Sequence, residues 1–134
     1  GTCLDPLPVA VPGGEPRLEL LALADGETVE EQLYSHLLRS LCPVTGQPDW
    51  ATVWVHYRGR PVDHSALLGY LLAYRHHQAF HEQCVERMYR DIHRLCEPEY
   101  LAVQALYTRR GGLDISPLRS SDAAAEPLPR LNRQ

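Results

Sequence analysis

Cys42 and Asp49 stand seven positions apart in the segment Cys-Pro-Val-Thr-Gly-Gln-Pro-Asp-Trp, residues 42–50. Two prolines and a glycine between them fold the chain back, so that a thiol and a carboxylate could face one pocket. A thiol beside an acid suits covalent chemistry on an unsaturated carbon. With an ordinary pKa of roughly 8.5, only a few per cent of a free thiol is thiolate at neutral pH, so a nucleophilic Cys42 needs surroundings that lower that value. An ionised Asp49 works against this. Kept neutral by its pocket, it could instead donate a proton to a substrate nitrogen on which negative charge develops. Taken alone, Cys42 is more often a small buried hydrophobe and Pro48-Asp49 an ordinary turn.

Two further segments could carry recognition. His81 and Glu82 open a helical pattern, where unpaired backbone N–H groups and the helix dipole favour a carboxylate; alone, Glu82 would be a dipole-compensating residue and His81 a surface one. Arg109-Arg110-Gly111-Gly112 places two guanidinium groups beside two glycines, which lets side-chain and backbone donors approach a phosphate closely. Most Arg-Gly-Gly turns are only hairpins.

The elements that must position these residues are partly legible. Residues 1–17 are rich in Pro and Gly and read as linker, and the whole of 1–25 is expected to be an interdomain connection or its remnant. Thr28 with Glu31 resembles a capping box, and Val29, Leu33, Leu37 and Leu41 recur at helical spacing, so pattern alone favours a helix over 28–41. Trp50 to Tyr57 is β-branched and aromatic and predicts a strand closed by Arg58-Gly59-Arg60-Pro61. Two helices follow: one capped by Asp63 or Ser65 with Leu67, Leu68, Leu71, Leu72 and Tyr74 on its apolar face, and one with the stripe Phe80, Cys84, Val85, Met88, Ile92, Leu95, ended by Pro98. Tyr100 to Tyr107 alternates as a strand, 108–112 is a turn, and Leu113 to Ile115 a short return strand. From Ser116 the chain reads as a poorly structured tail. The order strand, strand, helix, helix, strand, strand is α+β, an antiparallel sheet with two helices on one face.

Three blocks, Cys42 to Asp49, Phe80 to Arg87 and Thr108 to Ile115, resemble in order and spacing those of the NADPH-dependent 7-cyano-7-deazaguanine reductases, the nitrile reductases of queuosine biosynthesis. More narrowly, Tyr57 to Arg60, Tyr74 to His77 and Tyr107 to Gly112 resemble the carboxy-terminal half of the long, two-domain form, from about Gly26 to Arg119. The resemblance implies a tunnelling fold over 26–116, a tail over 117–134, and a strand rather than a helix leading into Cys42; the strand is adopted here, since a strand and turn would fix the thiol more firmly than a fraying helix end. It implies Cys42 as nucleophile and Asp49 as acid. His81 and Glu82 become substrate-binding residues, Glu82 accepting hydrogen bonds from the amide and amine edge of a guanine-like base and Phe80 offering its ring face. Arg110 and Gly111 become contacts to NADPH. The expected reaction takes the nitrile to the aminomethyl product through a cysteine thioimide, without a metal.

Composition fits half of such an enzyme. The chain has 134 residues, enough for one domain with a core. It starts Gly-Thr, as an excised or processed piece would. All thirteen basic residues are Arg, so the family's Glu-Ser-Lys-type cofactor segment is absent and is expected in an amino-terminal half of the same enzyme, with a homodimer of two-domain chains as the assembly. A net charge of −4 argues against nucleic acid or an anionic membrane as the main partner. Cys3, Cys42, Cys84 and Cys96 show no C-x-x-C spacing, and the expected compartment is the reduced cytoplasm. His76, His77 and His81 cluster without the convergent ligand set that zinc needs, and read as solvated helix-surface residues. Two rivals remain at this point: an amidinotransferase acting on the nitrile in transfer RNA, disfavoured by the acidic balance, and a non-catalytic deazapurine-binding or assembly domain, disfavoured by intact Cys42, Asp49, His81 and Glu82.

Overall fold

The computed structural model describes residues 1–108 and 115–121. Strands β1 (Thr2–Cys3), β2 (Val29–Leu41), β3 (Pro48–Gly59), β4 (Tyr100–Tyr107) and β5 (Leu118–Ser120) form one sheet in chain order, while helices α1 (His64–Leu72) and α2 (His81–Cys96) are inserted between β3 and β4. All pairings are antiparallel except β1 with β2. The α+β class and the two-helix layer are as expected from the order of elements.

The strand at 29–41 prevails over its helical spacing because of a β-bulge. Pairing runs Leu33 with Val55 and Ser35 with Val53, then resumes at Leu38 with Ala51, so His36 and Leu37 together oppose Thr52. The bulge is pinned by side chains: Asp5 accepts from the Ser35 hydroxyl at 2.6 Å and the His36 amide at 3.0 Å, and His36 Nδ1 lies 2.7 Å from Thr52 Oγ1. One extra residue reverses the alternation. Before it Leu33 and Ser35 are buried; after it Leu38 and Ser40 are. The spacing that mimics a helix is thus two strand segments in opposite phase.

Asp49, Ala51, Val53, Val55 and Tyr57 form one buried face of β3, and the last four pair with Tyr107, Ala105, Val103 and Leu101 of β4. Against this face pack Leu67, Leu68, Leu71 and Leu72 of α1 and Cys84, Val85, Met88 and Ile92 of α2, in one core. Each such aliphatic side chain contributes on the order of 1.5–3 kcal/mol through burial. Asp63 caps α1 by accepting from the Ala66 amide at 2.8 Å. Tyr74 lies beyond α1 in the 3-10 turn Ala73–His76, buried all the same. Glu97 takes a left-handed φ of 44° as α2 ends, just before Pro98.

Three expectations need adjustment. Phe80 is not on the apolar stripe of α2 but caps its start, half-exposed. A return strand exists but is Leu118–Ser120, inside the stretch expected to be tail; of the expected 113–115, only Ile115 is described, and its carbonyl accepts from the Tyr107 amide at 3.1 Å. Residues 1–25, expected as linker, lie on the domain: Leu4 and Leu21 are in its core, and β1 extends the sheet.

Candidate active site

The bulge decides which side of the sheet the thiol occupies. Cys42 follows Ser40 by two residues, so it shares the helix-covered side with Ser40 and with its partner Asp49. Beyond β2 the ladder continues for one step, the Cys42 amide donating to Gln47 O at 2.9 Å and the Gly46 amide to Cys42 O at 2.8 Å. The turn needs a φ of +72° at Gly46, which glycine adopts without steric cost.

That turn also conditions the thiol. The Thr45 hydroxyl, followed by the Thr45 and Val44 amides, donates to Cys42 and lowers its pKa from the ordinary value, against the opposing influences of slight burial and of the Asp49 charge. Donors grouped in a short turn form a small nest for an anion. Sequence reasoning demanded such an environment and did not find it; a Thr beside Gly in a Pro-containing turn was the available signal.

Asp49 is almost fully buried, and its Oδ2 lies 3.0 Å from Nε2 of His81. His81 begins α2, and its ring stacks on Tyr107 with centroids 3.9 Å apart and planes 21° apart. His81 is therefore not the solvated surface residue expected from the histidine cluster; its side chain is 16% exposed. His76 is exposed and His77 half-buried, burial lowering the pKa of the latter. Among the described residues no group of three His, Cys, Asp or Glu side chains converges as metal ligands.

Phe80, 50% exposed, and the exposed Glu82 flank His81, and the Phe80 amide donates to Gln83 Oε1 at 2.9 Å, fixing the helix start. Cys42, Asp49, Phe80, His81 and Glu82 all line one cavity of 460 Å³, completed by Pro43, Ala79 and Ile115. A cleft of 560 Å³ between Val11–Glu15 and the His76–Gln78 segment is lined by no thiol, so chemistry rather than size selects the site. Thr45, Tyr107 and Ile115 were missed by sequence reasoning. Tyr107 was within reach, since counting by twos from Leu101 through Val103 and Ala105 puts it on the core face. Arg110 and Gly111 lie outside the described residues.

Residues 48–126 match the family described as QueF-like protein. The chain belongs to that family. It is 56% identical over 127 residues to the NADPH-dependent 7-cyano-7-deazaguanine reductase of Dechloromonas aromatica, covering 95% of this chain and 45% of the relative. It is 54% identical over 134 residues to the protein of the same name from Saccharophagus degradans, covering 100% of this chain and 50% of the relative. The chain thus spans about half the length of the curated relatives it matches. A crystal structure of the apo archaeosine synthase QueF-Like superposes with a TM-score of 0.61 at 18% identity, over 73% of this chain and 96% of that one. That likeness concerns the fold alone, and it agrees with the tunnelling fold.

Proposed function

We propose that this chain is the catalytic half of an NADPH-dependent 7-cyano-7-deazaguanine reductase, converting the nitrile to 7-aminomethyl-7-deazaguanine in queuosine biosynthesis. The observation that carries this reading is an accessible thiol of lowered pKa sharing a 460 Å³ cavity with a buried Asp49–His81 pair. The reductase names of relatives at 54–56% identity supply the substrate.

The chain's own residues account for the covalent step. Cys42 passes its thiol proton to the Asp49 carboxylate and Sγ adds to the nitrile carbon; one carbon–nitrogen π bond breaks, its electrons pass to nitrogen, and Asp49, held by His81 Nε2 at 3.0 Å, delivers that proton to the nitrogen. The product of this step is a thioimide, more electrophilic than the nitrile. Glu82, at the cavity rim, accepts from the base's amide and amine, and Phe80 packs on the ring. An analogue without those donors would leave a carboxylate unpaired.

NADPH, when bound, supplies hydride, two equivalents accounting for the four electrons between nitrile and amine. The described cavity wall carries no Arg, and Arg110 and Gly111, the contacts expected at a dinucleotide site, are outside the described residues. We place most of that site in an amino-terminal half, in a cytoplasmic homodimer of two-domain chains.

The test uses the two-domain protein. Incubation with 7-cyano-7-deazaguanine should add one intact nitrile mass at Cys42, and Cys42→Ala should abolish the adduct. An adduct that persists in that variant, or maps to Cys84 or Cys96, would sink the assignment.

A further inference from the structure

We propose that Tyr107 is the positioning residue of this site: its ring fixes the plane of the His81 imidazole, keeping Nε2 on Asp49 and leaving Nδ1 as the atom available to a ligand. The geometry is a three-sided clamp. The His81 backbone is held in the first turn of α2, the ring edge meets Asp49 of β3 at 3.0 Å, and the ring face lies on Tyr107 of β4 at 3.9 Å and 21°. A carboxylate alone leaves an imidazole free to swing about the shared hydrogen bond. A flat surface beneath it removes that motion.

Tyr107 is itself immobilised. It is 1% exposed, pairs with Ala51 across the ladder two residues from Asp49, and donates its amide to Ile115 O at 3.1 Å. Its hydroxyl lies against Cys84 and Ser40, the residue opposite Asp49 on β2. Desolvation holds this phenol neutral, so the surface under His81 carries no competing charge. The stacked face, not the hydroxyl, contacts His81, which sets the expected ranking of variants: phenylalanine keeps the function, and a flexible aliphatic of similar volume loses it.

The experiment reads the His81 ring directly, by nitrogen NMR of the histidine-labelled chain without substrate, and therefore stands apart from the reductase reading. The unaltered protein and Tyr107→Phe should both show one tautomer with the proton on Nε2, and Tyr107→Met a fast-exchanging mixture. A core residue of purely structural role would lower the melting temperature and leave the tautomer unchanged. Resting on the proposed function, the second arm compares nitrile reduction by two-domain variants: Tyr107→Phe within about threefold of the parent, Tyr107→Met down about 10- to 100-fold in kcat with KM little changed. A single tautomer retained in Tyr107→Met, or lost in Tyr107→Phe, overturns the proposal. If the methionine variant does not fold, Tyr107→Leu takes its place, and the phenylalanine arm decides in either case. Failure of the second arm with the NMR result intact would count against the reductase chemistry and not against the clamp.

Discussion

Cys42 and Cys84 lie on the same side of the sheet and both feel the Asp49 charge, yet their environments push them in opposite directions. Cys42 stands in a turn whose donors favour the thiolate, while Cys84 is embedded in the core, where desolvation raises its pKa despite the opposing influence of the neighbouring Tyr107 and Ser40 hydroxyls. Cys96 follows Cys84, burial pushing it up to about 11. The difference teaches that reactivity is set by whether a few donors can reach a sulfur that water can also reach, and not by proximity to the acid.

The largest expected effect breaks or upholds this contrast outright. Under native conditions at neutral pH, iodoacetamide should modify Cys42 at least on the order of a thousandfold faster than Cys84 or Cys96, because the buried thiols react only through opening of the fold. Peptide mapping by mass spectrometry gives the three rates. Comparable rates at Cys84 and Cys42 would dissolve the distinction.

A smaller effect separates the thiol from its acid. Asp49→Asn removes a negative charge that opposes the Cys42 thiolate, so alkylation should become slightly faster, whereas nitrile addition in the two-domain protein should slow on the order of a hundredfold for lack of a proton donor. Parallel changes in the two rates would mean that Asp49 acts only on thiolate content. The smallest effect concerns Thr45. Its hydroxyl stabilises the thiolate, so Thr45→Val should move the alkylation midpoint to higher pH and lower the neutral-pH rate by about threefold. The sign follows from the charge: a donor lost from the anion raises the pKa. An unmoved or lowered midpoint would assign the depression to the turn amides alone.

How much of this was readable in the sequence depends on the range of the interactions involved. Strands β3 and β4 and both helices carry their own local patterns, and Asp63 its own cap, so their existence and approximate ends were legible. Val29 to Leu41 was legible as a strand only through the family resemblance and not from its own pattern, because its phase reversal depends on Asp5, thirty residues upstream of Ser35, and on Thr52 of the facing strand. The same limit governs the site. Cys42 and Asp49 share one short segment and are visible together, whereas the Asp49–His81 contact and the Tyr107 stack join three elements that only the fold assembles. β5 was overlooked since Leu118–Ser120 has no strand pattern of its own and is ordered by pairing with Ala102 to Gln104.

The bulge at His36 and Leu37 makes the site a matter of parity. An even change in the number of residues between Ser35 and Cys42 would shorten or lengthen the strand and leave the thiol on the helix side; an odd change would carry it through the sheet to the opposite side from Asp49. Substitutions at 37 leave that count intact, while a single deletion at 36 or 37 would erase the cavity's chemistry without touching any residue that lines it.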